Sequence, residues 1–167
     1  DVAKAEAGYR TVMQRFGTTP WAEQAELSIA RIYLAAGSFD KAAATYGHYL
    51  DSRGGKARFI DDASYERAVS LLAAGQAAEA LPILNRLAQR SKDVRNEALL
   101  RELVGVALLT TGKRDEALTS FKEVVAQFPL TFAALVAGSR LRALGSELPA
   151  WLEPAASGAR PSPLELK

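Results

Sequence analysis

The chain has 167 residues with a formal net charge of +2, acidic and basic residues being interspersed throughout, so no basic stripe points to nucleic acid. It has no cysteine, which excludes disulfides and thiolate metal sites, and no apolar run reaches membrane-spanning length. Aromatics are 8% of the residues while alanine is abundant, a balance that suits closely packed helices in one domain.

Residues 2–15 are predicted as a helix, with Ala5, Tyr9 and Val12 on one face. Gly17 closes it, and Thr18-Thr19-Pro20 reads as an N-cap followed by proline in the first helical turn. A second helix is expected over residues 21–36 and a third over 40–50, the latter with Ala42, Tyr46 and Tyr49 on one face and Asp40 near its N-terminus. Ser52-Arg53-Gly54-Gly55-Lys56 is a flexible link. It lacks the strand, the full spacing and the Ser or Thr that a phosphate-binding loop needs.

A fourth helix is expected over residues 57–74. Its Asp61 and Asp62 are adjacent, so they do not share a face, and they suit a helix N-terminus better than paired carboxylate chemistry. Residues 77–89 follow as its partner, with Ala80, Leu84 and Leu87 on one face and Pro82 placed early enough for its missing N–H to be tolerated.

Residues 98–129 carry the clearest pattern. Ala98 to Leu109 is apolar on more than one face, so it needs neighbours on more than one side. Gly105 inside it is unfavourable by roughly 1 kcal/mol against alanine, and its bareness admits a second helix at close range. Gly112 ends that helix, residues 114–127 form the next with Ala117, Phe121 and Val124 on one face, and Phe128-Pro129 stops it. A last helix is expected over residues 131–143.

The turn glycines Gly37, Gly75, Gly112 and Gly145 are 38, 37 and 33 residues apart, and Ala5, Ala42, Ala80 and Ala117 step by 37, 38 and 37. Such a period marks stacked helical hairpins. The ordered set Gly105, Leu108, Gly112, Ala117, Phe121, Val124 and Pro129 resembles the tetratricopeptide repeat, whose usual period is about 34 residues. The resemblance implies an all-α fold of stacked antiparallel helix hairpins in a right-handed solenoid over residues 1–145. That region divides into a half repeat (1–17), repeats at about 20–52, 57–92 and 94–129, and a half repeat (130–145). Residues 146–167 form a capping turn around Leu148, Trp151 and Leu152 and a proline-rich tail. With half repeats at both ends, the chain is expected to be part of a longer protein.

In that family the first helices of successive hairpins line a concave surface. The resemblance places Leu27, Arg31, Leu34, Tyr65, Val69, Leu72, Glu102, Val106, Leu109, Leu135, Ser139 and Arg142 there. This apolar face is either covered by tight curvature or the tail, or it is a groove for a protein segment, or it is a self-association face. Arg31, Glu102 and Arg142 are the groups that orient a ligand in the groove reading. His48 is the single histidine and has no second histidine or cysteine with which to hold a metal. No catalytic residue and no cofactor are expected.

The segment Phe128-Pro129-Leu130-Thr131-Phe132-Ala133-Ala134-Leu135-Val136-Ala137-Gly138-Ser139-Arg140-Leu141 also resembles the helical region of soluble lytic murein transglycosylases. That likeness implies a periplasmic parent that cleaves peptidoglycan strands to anhydro products. The catalytic glutamate of that family lies in a domain after the helical array, so no glutamate here inherits the role. The alternatives are an envelope-assembly or cell-division scaffold without an enzymatic domain, and a cytoplasmic peptide-binding adaptor. The concave surface lacks the dense lysine and arginine set of the carboxylate-clamp adaptors. Nucleic acid and direct membrane insertion are not expected.

Overall fold

The computed structural model describes residues 1–152. Eight helices run in order, α1 (Val2–Phe16), α2 (Pro20–Ala35), α3 (Phe39–Arg53), α4 (Ile60–Ala73), α5 (Ala77–Arg90), α6 (Val94–Thr110), α7 (Arg114–Gln127) and α8 (Phe132–Ala143). Short 3-10 turns lie at Gly54–Lys56 and Ala150–Leu152. Each helix packs antiparallel on the next, and α6 also lies against α8. The fold is all-α, built from successive antiparallel pairs.

One turn is used four times. Gly37, Gly75, Gly112 and Gly145 all have φ between 71° and 80°, a region where a side chain is strained. The residue after each glycine donates its N–H to a carbonyl five residues back: Ser38 to Tyr33, Gln76 to Leu71, Lys113 to Leu108 and Ser146 to Leu141, at 2.8–2.9 Å. The glycine itself donates to the carbonyl three residues back at 3.0–3.1 Å, and this double closure satisfies carbonyls left open at a helix end and sends the chain back. Three of the four helices that open repeats are started by side chains instead, α4 having no side-chain cap. Thr19, Asp93 and Thr131 accept N–H groups of Ala22, Asn96 and Ala134 at the first turns of α2, α6 and α8.

The core is a row of three clusters rather than one centre. Leu27, Ala30, Tyr46 and Tyr49 form the first, Ala68, Leu84, Leu87 and Leu100 the second, and Phe121, Val124, Ala134 and Leu141 the third. Leu81 and Val104 touch both the second and the third. At the expected close approach, a Cβ on Gly105 would overlap the Phe121 ring of α7.

Two local expectations are corrected. The fourth helix begins at Ile60, not at 57, because the Tyr49 hydroxyl accepts the Phe59 N–H at 3.2 Å and holds the chain outside the helix. Pro82 is the sixth residue of α5, past the first turn, and the helix continues through it on its exposed side. The expectation of a proline-rich tail after residue 152 falls outside the described residues.

Candidate protein-binding groove

The first helices of the repeats, α2, α4, α6 and α8, carry the twelve expected groove residues, and the structure distributes them unevenly. Leu27 is 1% exposed, locked among Ala30, Tyr46 and Ala63, and offers no surface. Glu102 is 4% exposed and is covered by Arg140 of α8, whose Nε donates to it. Arg31 is exposed, but its guanidinium is held by both carboxylate oxygens of Glu66 at 2.9–3.0 Å. Leu34, Tyr65, Leu72, Val106 and Leu109 are half-buried against the clusters, and Val69 is half-buried. Leu135, Ser139 and Arg142 are exposed, and Arg142 donates to the Leu152 carbonyl at 3.2 Å.

The open apolar surface lies about one turn nearer the N-termini of α4, α6 and α8. A cleft of about 520 Å³ is lined by Tyr65, Leu87, Leu99 and Leu100, with Asp61, Asp62, Arg90 and Lys92 among the polar groups around it. It shares Leu99 and Asn96 with a larger cleft of about 750 Å³ that includes Val94, Phe128, Leu130 and Phe132. That one shares Phe132 with a third, shallower cleft containing Leu135, Val136 and Ser139. The three therefore form one trough. Leu130 is 99% exposed, Phe132 77%, Val94 60% and Leu135 55%. Of the twelve expected residues, Tyr65, Leu135 and Ser139 line this trough.

Reasoning from the sequence missed Val94, Leu99, Leu130 and Phe132. A signal was present: Leu130 and Phe132 flank the N-cap Thr131, where polar residues are the norm. Charge near the trough is mixed. Arg90 lies 3.7 Å from Asp61 with both side chains well exposed, a pair that water and salt screen. Burial raises the Tyr65 hydroxyl above its ordinary pKa, and the charge of Glu66 adds to this, so it stays protonated and can donate.

A separate polar network lies under α2. Glu23 and Glu26, 6% and 3% exposed, point inward. Glu26 holds Arg53 at 2.8 Å and His48 Nδ1 at 2.8 Å, while Glu23 accepts the Tyr49 hydroxyl at 3.0 Å and the Arg58 N–H at 3.3 Å. The Arg53 guanidinium also lies over the Tyr49 ring, 4.8 Å from its centre. His48 thus pairs with a structural carboxylate, and the Gly54–Gly55 link is fastened by the arginine before it. Among the described residues no group of three or more His, Asp or Glu side chains is arranged to hold a metal.

The family model that matches the chain is described as a tetratricopeptide repeat-like domain, and it covers residues 1–144. The chain belongs to the tetratricopeptide repeat-like family. No curated protein matches it. This tetratricopeptide repeat-like fold is typical of non-catalytic scaffolds and generally mediates protein or peptide binding, so the chain is a helical-repeat interaction module. Among the described residues no helix is long and apolar enough to cross a membrane.

Proposed function

We propose that the trough running from Tyr65 through Leu99 to Phe132 and Leu135 binds an apolar segment of another protein. One observation carries the reading: Val94, Leu99, Leu130, Phe132 and Leu135 are large, exposed and joined through shared clefts. Scattered apolar residues on a surface need no explanation, whereas a continuous run marks an interaction site. The trough suits a segment that places apolar side chains at intervals, extended or helical, with Tyr65 and Asn96 as polar contacts. Exposed Asp61 and Arg90 at its edge tune the approach of a partner more than its affinity.

The test is a peptide array probed with the whole chain, followed by titration of the best binders against Leu99→Glu and Phe132→Glu. The reading expects affinity to fall about tenfold or more in each, the scale of a central apolar anchor. Binding unchanged in both variants would place the site elsewhere.

The wider setting rests on other ground. We propose a bacterial periplasmic location, with the module positioning a glycan-cleaving domain of its own chain. Support comes from the likeness of the segment Phe128–Leu141 to the helical region of murein transglycosylases. The sequence of the complete gene product is the check, with a lysozyme-like domain after residue 167 expected.

A further inference from the structure

The cleft beside Tyr65 lies inside the array, where the start of α4, the end of α5, the link after it and the start of α6 converge. Its floor is apolar, with Leu87 and Leu100 of the second cluster beneath it. Its rim carries both signs of charge. Asp61 and Asp62 come from the first turn of α4, Arg90 from the end of α5, and Lys92 and Asp93 from the link. Arg95, one turn before Leu99 on α6, lines the adjoining cleft, and Leu99 lines both.

Some of these charges already have work within the chain. Arg90 lies by Asp61, and Asp93 caps α6. Asp62, Lys92 and Arg95 remain, all exposed, and among the described residues none of them makes an ion pair. Asp62 and Lys92 line the same cleft without meeting. Other neighbouring first helices do bring opposite charges into contact, Arg31 with Glu66 and Arg140 with Glu102. Helix electrostatics account for Asp62, since a carboxylate is favoured at the N-terminal end of α4. They run against Arg95. It is the second residue of α6, where the positive end of the dipole repels a cation. The cationic side of the rim is therefore the side that its own helix does not explain.

We propose that the segment bound in the trough is bipolar, with a cationic side chain toward Asp62, a carboxylate toward Lys92 and Arg95, and an apolar anchor between them over Leu99 and Leu100. This rests on the trough reading and adds the charge order of the partner to it. A segment acidic at both ends meets Asp62 with like charge, and one basic at both ends meets Lys92 and Arg95 the same way, so the rim selects against each. Groups this exposed act through water. Their effect falls on the rate of association more than on the lifetime of the complex, and it fades with salt.

The test uses the apolar anchors of the best binder from the peptide array, carried by four sets of synthetic peptides. The sets differ only in their end residues: lysine and glutamate, lysine twice, glutamate twice, or glutamine twice. Stopped-flow mixing with the whole chain at low salt is expected to show the lysine–glutamate set associating about tenfold faster than the glutamine set, the gap closing as salt rises past about 0.15 M. In the double variant Lys92→Glu with Arg95→Glu the twice-lysine set is expected to become the fastest, and in Asp62→Lys the twice-glutamate set. Arg95→Glu puts a carboxylate where the α6 dipole favours one, so a changed order in that variant is not a loss of fold. Equal rates for the four sets, or an order unchanged in the double variant, overturns the bipolar segment, and the trough reading stands if Leu99→Glu still abolishes binding. Binding by no set, or binding untouched by Leu99→Glu, removes the trough reading and this inference together.

Discussion

The Phe121 ring of α7 rests directly on the bare backbone of Gly105 in α6, with no room between them for a methyl group. Propensity and packing therefore pull in opposite directions at residue 105. Alanine favours the helix by roughly 1 kcal/mol, but its Cβ must push aside a ring that is itself fully buried. Overpacking of this kind is unfavourable by about 1–3 kcal/mol. Gly105→Ala is expected to lower the urea midpoint, and adding Phe121→Leu to recover part of the loss. Equal and additive losses in the two would show that the residues do not share a contact.

Removing the guanidinium from residue 53 leaves Glu26 buried with one exposed histidine for company. Arg53→Met is expected to destabilise the chain by about 3 kcal/mol, the scale for breaking a buried pair. Pairing it with Glu26→Met is expected to restore most of that, since the stranded carboxylate is then gone. Chemical denaturation of the two variants and the parent decides.

Acid is expected to loosen α1 before the rest. The Tyr33 hydroxyl bond, and then Arg10, hold Glu6 below its ordinary pKa of 4.5. A lowered folded value means that the stabilisation is present above the ordinary value and is lost as pH falls through the lower, folded one. Protection of α1 amides should thus be flat above about pH 5 and decline below pH 4.5, while α6 and α7 hold. In Glu6→Gln the step should vanish, with α1 less protected at neutral pH. Hydrogen exchange at a series of pH values measures both.

Surface residues of the trough contribute little to folding, and substitutions there should leave stability within about 0.5 kcal/mol. Leu130→Ser with Phe132→Ser is expected to keep the melting temperature and to reduce the fluorescence of a dye that reports exposed apolar surface. A lowered melting temperature would mean that these side chains are packed after all.

What could be read in the sequence follows from how far each signal reaches along the chain. The four turns were legible because each glycine acts on its own neighbours. The small residues at 42, 80 and 117 were legible because their helices meet a partner immediately adjacent in sequence. The network under α2 was not. Glu23 and Glu26 look like ordinary charges on a helix, and their partners at 48, 49, 53 and 58 lie 22 to 35 residues away with no local mark. Repeat register says which side of a first helix to search for a groove. It does not say how deeply the next repeat covers that side, and so Leu27 and Glu102 were placed at a surface that Ala63 and Arg140 close over.

The two arginine–glutamate pairs that cross between first helices have a mechanical consequence. Arg31–Glu66 rivets α2 to α4, and Glu102–Arg140 rivets α6 to α8. Among the described residues no such rivet joins α4 to α6, and the cleft between Tyr65 and Leu99 opens at that junction. There α4 and α6 are joined instead by apolar packing, Ala68 and Leu71 sharing the second cluster with Leu100 and Ala107. A visitor seated beside Tyr65 would therefore meet side chains held by burial, with no charge pair between α4 and α6 to part.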